Sequence, residues 1–312
     1  MLDVKRLRIL REVAHRGSFS AAASALYLSQ SAVSQQIANL EKEVGMTLLD
    51  RTREGPKLTE AGRVLVTHAE AAMARLDEAE RELAAIAGLE GGEIRLASFP
   101  SASATLLTEA ISIFHGRYPK VRLSVAEAEP EESLPRLRAG ELDLALSFDY
   151  PSVPRDADRD LDMTPLLTES MHLALPKNHP LAERPVVRLS EFADAEWLCG
   201  SRPSTCGEVV VRACRDAGFD PHVGFESDDY HVMQGFIAAG LGVTLLPDLA
   251  LATLRDDLVV RATDPPAPKR RVWAATRAEG ARSPATDAML ATLVEVGEAY
   301  EKRTAKRLEL VA

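Results

Sequence analysis

The sequence predicts a composite α/β protein: a small helical head that ends in a two-stranded wing, then one long helix, then an α/β body. Three observations carry this. Residues 4 to 44 hold three short helical patterns separated by turn residues, residues 65 to 86 hold an unbroken seven-residue repeat, and from Glu93 onward short apolar runs alternate with helical stretches.

In the head, Val4 to His15 sets Leu7, Leu10 and Val13 in helical register, and Gly17 with Ser18 stops it. Ser20 is placed to cap a short second helix through Ala21, Ala22, Ala23 and Leu26, whose small residues allow close packing. The Tyr27-Leu28 turn leads into a third helix that starts at the N-cap Ser29, runs to Val44 and stops at Gly45. Val33, Ile37, Leu40 and Val44 recur on one side of it, while Gln30, Ser31, Ser34 and Gln35 project from the other. A second helix joined to a third by a short turn is the geometry that presents the latter to a major groove. Neutral donor-acceptor side chains on its front suit the reading of base edges more than charge neutralisation. Leu48 to Leu58 reads as a two-stranded wing, and Arg51, Arg53 and Lys57 near its tip would meet phosphate or the minor groove. A three-helix core with a polar face and no DNA is the plainer reading; the short turn, the polar front and the basic wing together favour DNA.

The chain carries a formal charge of -10, which at first argues against nucleic acid, but the charge is uneven. Residues 1 to 66 hold ten Lys or Arg against seven Asp or Glu, a net +3, so the remainder carries -13. A modestly basic head on an acidic body fits a DNA module joined to something else. The 312 residues, 46% of them apolar, allow two or three domains with real cores. No charged-then-apolar leader opens the sequence, and the longest apolar-rich stretch, Gly235 to Pro247, is shorter than the roughly 20 residues a membrane helix needs, so a cytoplasmic protein without membrane contact is expected. Three cysteines form neither a disulfide framework nor a zinc spacing.

The seven-residue repeat is Leu65, Ala69, Ala72, Leu76, Ala79, Leu83 and Ile86. Charged residues fill the other faces, so the helix most economically pairs with a copy of itself. Packing on its own domain is the alternative. The seam spans roughly 30 Å, enough to hold two reading heads apart for successive major grooves about 34 Å centre to centre. Gly88, Gly91 and Gly92 end it.

In the body, strands are expected at Ile94 to Ser98, Val121 to Ala126, Leu142 to Phe148, Leu173 to Pro176, Trp197 to Gly200, Val223 to Glu226, Val243 to Pro247 and Val272 to Thr276. Helices are expected at Thr105 to Tyr118, Glu131 to Ala139, Gly207 to Gly218, Tyr230 to Ala239 and Pro284 to Arg303. This alternation suggests mostly parallel sheets, which bind ligands beyond the carboxyl ends of their strands.

At this level of detail the chain resembles the LysR-type transcriptional regulators over nearly its whole length. The head carries Gly17-Ser18-Phe19-Ser20-Ala21-Ala22-Ala23, Leu28-Ser29-Gln30-Ser31-Ala32-Val33-Ser34-Gln35-Gln36-Ile37, Leu40-Glu41 and Leu58-Thr59-Glu60-Ala61-Gly62. The body adds Tyr118-Pro119-Lys120-Val121, Gly140-Glu141-Leu142-Asp143-Leu144-Ala145, Pro176-Lys177-Asn178-His179-Pro180-Leu181 and Ala238-Ala239-Gly240-Leu241-Gly242-Val243-Thr244-Leu245-Leu246-Pro247. Leu49 stands where the family's wing usually has Phe, and Ser31 where Pro is frequent.

The resemblance implies a winged helix-turn-helix at 1–58, a dimerising linker helix at 59–88, a hinge at 89–92, a two-lobed effector domain similar to periplasmic binding proteins at 93–303, and a tail at 304–312. The lobes would be 93–166 with 268–303, and 167–267. It further implies double-stranded promoter DNA, a small effector between the lobes, a second copy of the chain in a dimer or tetramer, and RNA polymerase as partners, with no metal and no cofactor besides the effector.

Ser98, Phe99, Ser101 and Ser103 follow the first body strand and open a helix, so hydroxyls and free N–H groups converge where an anion is favoured. Arg202 and Thr205 do the same in the second lobe, and Arg202 offers a guanidinium for a bidentate carboxylate clamp. Simple capping is the competing role for each hydroxyl. Ser147 and Phe148 end a strand at the same edge and are candidates to line the pocket, and Glu226, Ser227, Asp228 and Asp229 precede another helix, where they cap or receive an amine.

Two rival functions remain open. Cys206 and Cys214 bracket a helix in the region where peroxide-sensing members of the family place a reactive pair; with that helix intact they stand about 12 Å apart along its axis, too far to bridge. Outside regulation, a small-molecule-binding protein or an enzyme without DNA binding is the competing class, but the seven histidines fall in no catalytic or zinc motif.

Overall fold

A computed structural model of the chain describes residues 2–52, 55–86, 92–153, 160–201, 204–278 and 282–309. Apart from the turn Ala139–Glu141, they fall into two compact units, one up to Ile86 and one beyond it.

In the first unit, α1 (Val4–Arg16) starts at Asp3, whose carboxylate accepts from the Lys5 amide, and ends on Gly17 at φ +60°. The second helix, α2 (Phe19–Ala25), starts earlier than the sequence suggests. Ser18, extended at φ -153°, is its cap and accepts from the Ala21 amide, whereas Ser20 lies inside the helix and hydrogen-bonds the Ser18 hydroxyl at 3.0 Å. Tyr27, at φ +55°, turns the chain into α3 (Gln30–Val44), which Ser29 caps through the Ala32 amide and Gly45 closes in the left-handed region. Leu10, Val13, Ala22, Val33, Ile37, Leu40 and Leu48 make the core these helices share.

The wing is β1 (Leu49–Thr52) paired antiparallel with β2 (Gly55–Leu58). It runs into α4 (Glu60–Ile86), the long helix. The seven-residue seam on α4 divides. Ala69 is 1% exposed and, with Leu65, Val66 and Met73, packs on the head's own core, so this end of the helix behaves as the alternative reading had it. Ala72, Leu76 and Ala79 stay exposed, Leu76 by 50%. The side chains of Leu83 and Ile86 lie outside the described residues.

The second unit is built on an eight-stranded sheet and a separate strand pair. β3 (Glu93–Ser98) runs parallel to β4 (Arg122–Glu127) and β5 (Leu144–Asp149), as expected of strands joined by helices. The sheets are nevertheless mixed, which corrects the expectation of mostly parallel pairing. β6 (Leu161–Pro176) and β12 (Lys269–Arg277) return through the middle of the sheet, β12 antiparallel to both β5 and β6. Leu161 to Ser170 pair with β12, and Met171 to Pro176 pair with β10 (Thr244–Pro247) and β11 (Leu258–Thr263), so one strand serves two neighbourhoods. β11 also pairs β7 (Val186–Val187), while β8 (Glu196–Cys199) and β9 (His222–Glu226) form the parallel pair.

Helices cover the sheets. A short α5 (Pro100–Ala102), a π turn over Ser103–Leu107 and α6 (Thr108–Arg117) follow β3 without a break in helical backbone. α7 (Pro130–Arg138), α8 (Thr205–Asp216) and α9 (Tyr230–Ala238) lie close to the expected positions, and α10 (Pro284–Glu309) continues six residues past Arg303, the end its sequence pattern suggests. Phe114, Leu144, Leu146, Leu173, Val272 and Met289 are among the fully buried residues of the main core.

Candidate DNA-reading face and effector cleft

On α3 the division between anchor and front is sharp. Val33, Ile37 and Leu40 are buried, and Gln30, Ser31 and Gln35 are exposed, with Ser34 half-buried between them. The front is pre-set by short bonds: the Ser31 and Ser29 hydroxyls lie 3.0 Å apart, and Gln35 donates to Asn39 at 3.1 Å. Behind it, Arg6 of α1 donates to Gln36 at 3.2 Å and to Glu43 at 2.9 Å, tying the first helix to the third. Two details fix the wing against α3. The Glu41 carboxylate accepts from the Leu48 and Leu49 amides at 2.8 and 3.2 Å. Thr59 donates to the Thr47 carbonyl at 2.8 Å and accepts from the Gly62 amide at 3.0 Å, capping α4 while clasping the segment that leads into the wing. Lys57 is exposed on β2; the Arg51 side chain and all of Arg53 lie outside the described residues.

The second unit holds a cleft lined by Phe99, Ser101, Glu129, Phe148, Cys206, Asp228, Tyr230 and Arg270, among others. It encloses about 10 Å3, barely what one water needs. Its floor is Arg270 on β12, 1% exposed, which donates through Nε to Glu169 of β6 at 2.7 Å and through Nη2 to the Ser101 hydroxyl at 2.9 Å. The Phe99 and Phe148 rings each stand 5.0 Å from its guanidinium carbon, and Glu169 completes its own set by accepting from the Leu249 amide at 2.7 Å. Burial, the largest single influence, works against the charge, but Glu169 together with Tyr150, Tyr230 and Cys206 outweighs it and raises the Arg270 pKa, so the guanidinium stays cationic. Glu129 is the opposite case. Burial, then the charges of Asp228 and Glu131, push its carboxyl up to about 7, and among the described residues it has no hydrogen bond or ion pair.

Two family models match the chain: "Bacterial regulatory helix-turn-helix protein, lysR family" over residues 4–63, and "LysR substrate binding domain" over residues 87–298. The chain belongs to the LysR family. It is a LysR-type DNA-binding transcriptional regulator with an effector-binding domain. Among its relatives, the transcriptional dual regulator GltC of Bacillus subtilis strain 168 is 31% identical over 80% of this chain and 82% of its own length. The dual regulator OxyR of Escherichia coli strain K12 is 28% identical over 87% of this chain and 88% of its own. Full-length OxyR C199D from Pseudomonas aeruginosa shares the fold at a TM-score of 0.70 and 24% identity, covering 94% of this chain and 98% of that one. CbnR, a LysR family regulator solved complexed with its target DNA, superposes at 0.67 with 21% identity over 95% and 100%.

The structure distributes this LysR-type regulator's expected effector residues unevenly. Ser101, Phe99 and Asp228 line the cleft. Ser98 is buried and donates to the Phe99 carbonyl at 3.3 Å, and the Ser103 hydroxyl donates to the Ser98 carbonyl at 3.4 Å, so both serve backbone. The Ser147 hydroxyl is buried with no hydrogen-bond partner among the described residues, on the opposite face of β5 from the cleft residue Phe148. Thr205 is held by Glu131, which accepts from its amide and hydroxyl at 3.0 and 2.7 Å. Asp228 caps the Ser201 amide at 2.9 Å, and Arg202 lies outside the described residues.

Sequence reasoning missed Arg270, Glu169, Glu129 and Tyr230. Arg270 is the middle residue of the run Lys269-Arg270-Arg271, which reads as a solvated charge cluster. Strand alternation carried two residues back from Val272 was the available signal, since Arg270, Val272 and Ala274 share a buried face. The cysteines have an inert setting in the regulator. Cys206 lies between the Tyr150 and Tyr230 hydroxyls at 3.6 and 3.9 Å, and burial pushes its thiol up to about 12. Burial does the same to Cys214, at the other end of an intact α8.

Proposed function

We propose that the protein binds promoter DNA as a dimer or tetramer and changes its response when a small effector enters the cleft around Arg270. Gln30, Ser31, Ser34 and Gln35 read base edges, Ser29 holds the start of the reading helix, and Arg51, Arg53 and Lys57 hold the DNA backbone. The observation that carries this is α3, whose buried Val33, Ile37 and Leu40 fix the helix while its first turn and a half offers only amides and hydroxyls to the outside. The exposed Ala72, Leu76 and Ala79, continued by Leu83 and Ile86, support pairing of two linker helices. A cleft this narrow admits an effector only by widening, and Arg270 of β12, braced from β6 by Glu169, stands at its floor. On this reading the protein acts in the cytoplasm, catalyses nothing and meets RNA polymerase at the promoter.

A mobility-shift titration separates the roles. Gln35→Ala is expected to relax preference at one or two base pairs, and Lys57→Ala to weaken all sequences alike while lowering the slope of affinity against salt by about one. Equal effects of the two on specific and nonspecific DNA would overturn the assignment.

A further inference from the structure

The cleft contains two charged groups that the fold leaves incompletely used. Arg270 spends Nε on Glu169 and Nη2 on Ser101, and its Nη1 has no hydrogen-bond partner among the described residues although the side chain is 1% exposed. A nitrogen left open toward a cavity on an otherwise buried guanidinium is suited to one acceptor oxygen from outside the protein. The Glu129 carboxyl, just beyond the end of β4, faces the same cavity with no partner, and Asp228, which also lines it, adds a second acidic group. Phe99, Phe148, Val210 and Leu245 add apolar wall, and the other polar lining groups, among them Ser227, Tyr230 and Thr244, carry no charge, so among the described residues Arg270, Glu129 and Asp228 are the cleft's ionic anchors. With Arg270 already balanced by Glu169, an anion alone would enter next to two further acids, and a cation alone would leave Nη1 unmet.

Building on the cleft as the effector site, we propose that its ligand is a small zwitterion of the amino-acid type, carboxylate on Arg270 Nη1 and ammonium against Glu129 and Asp228. The groups around Glu129 set how binding follows pH. Burial, Asp228, Glu131 and Glu127 oppose its ionisation and Arg270 favours it, while Cys206 and Tyr230 are both pushed upward and stay neutral through this range. An ammonium requires the ionised carboxylate. With the carboxyl titrating at about 7, its ionised fraction rises roughly tenfold from pH 6 to pH 8, and affinity follows it upward. A ligand whose carboxylate instead accepted a proton-bearing Glu129 would bind less tightly over the same interval.

The test is thermal denaturation of the full-length protein with each of the twenty standard L-amino acids, beside their N-acetyl derivatives, which lack the cation, and their carboxamides, which lack the anion. At least one free amino acid is expected to raise the melting temperature in a saturable way, with both blocked forms at least tenfold weaker and with affinity rising between pH 6 and pH 8. Glu129→Gln should flatten that pH profile and cost about tenfold in affinity. The proposal is overturned when no free amino acid stabilises the protein, when amine-free acids bind as well as amino acids, or when affinity falls with rising pH. Amine-free acids whose binding is lost in Glu129→Gln or Arg270→Lys would leave the cleft as the effector site and remove only the zwitterion; a ligand indifferent to both substitutions binds elsewhere and removes the cleft itself.

Discussion

The Glu41 carboxylate accepts hydrogen bonds from the Leu48 and Leu49 amides, so α3 also sets the angle at which the wing leaves it. Glu41→Ala orphans two partly buried amides and is expected to destabilise the head by about 1–3 kcal/mol. Glu41→Gln keeps one acceptor and should recover much of this. Urea melts of the full chain and DNA titrations of both variants check it; an alanine variant with wild-type stability and affinity would remove the strut role.

Gly62 marks where α4 passes the wing. A Cβ there would stand 2.1 Å from the Leu48 carbonyl oxygen and 3.0 Å from Leu58 Cδ2, and the first of these is backbone that cannot step aside cheaply. Gly62→Ala, normally favourable in a helix, is therefore expected to lower stability by about 1–3 kcal/mol and weaken DNA binding. Stabilisation by alanine would show that the approach relaxes freely.

The Glu169–Arg270 pair is 1% exposed on both sides. Glu169→Ala leaves the guanidinium without its counter-charge and the Leu249 amide without an acceptor, for a loss of about 3–5 kcal/mol. Replacing both residues together, Glu169→Gln with Arg270→Met, should be milder than Glu169→Ala alone. Calorimetric melts of the three proteins decide; a double variant as unstable as Glu169→Ala would deny the coupling.

The Glu129 carboxyl sits at about 7 in the folded protein against 4.5 as its ordinary value. The folded state thus holds this proton more tightly, so the contribution to stability is present below about pH 4.5 and is lost as pH rises through 7. Glu129→Gln should therefore gain on wild type between pH 5 and pH 8, by about 1–3 kcal/mol. A difference between the two proteins that stays flat with pH would mean that solvent reaches the carboxylate freely.

Cys206 supplies the check on thiol chemistry. With its thiol at about 12, labelling by iodoacetamide at pH 7.5 should run at least about a hundredfold slower than that of free cysteine, and peroxide at low concentration should leave it reduced by mass spectrometry. Rapid modification of Cys206 in the folded protein would reopen the redox alternative.

The head was legible almost residue by residue because it is held by local signals: Ser29 and Gly45 at the ends of α3, and the apolar spacing of Val33, Ile37 and Leu40 between them. The one slip, Ser20 for Ser18, came from two hydroxyls two residues apart with equal claim to cap. In the body the strands joined by helices were legible, and β6 was legible only at its end, Leu173 to Pro176, since Pro165, Thr168 and Glu169 interrupt its apolar run and its pairing with β12 joins residues about a hundred positions apart. The cleft was legible only at its rim. Ser101 and Asp228 announce themselves as helix-start residues, whereas Arg270 and Glu169 are charged groups buried by tertiary contacts that no local pattern reports.

The π turn over Ser103–Leu107 sits directly behind Ser101. The hydroxyls of Thr105 and Thr108 close the loose ring by donating to the Ser101 and Ser103 carbonyls at 2.6 and 2.7 Å. Such a turn amounts to one surplus residue threaded into an otherwise regular coil. Excising a single residue from it would rewind the preceding segment by about 100° and swing the Ser101 hydroxyl off the guanidinium. The serine's aim thus depends on a residue count rather than on any side chain nearby, and shortened variants would carry every cleft residue yet fail to assemble the pocket.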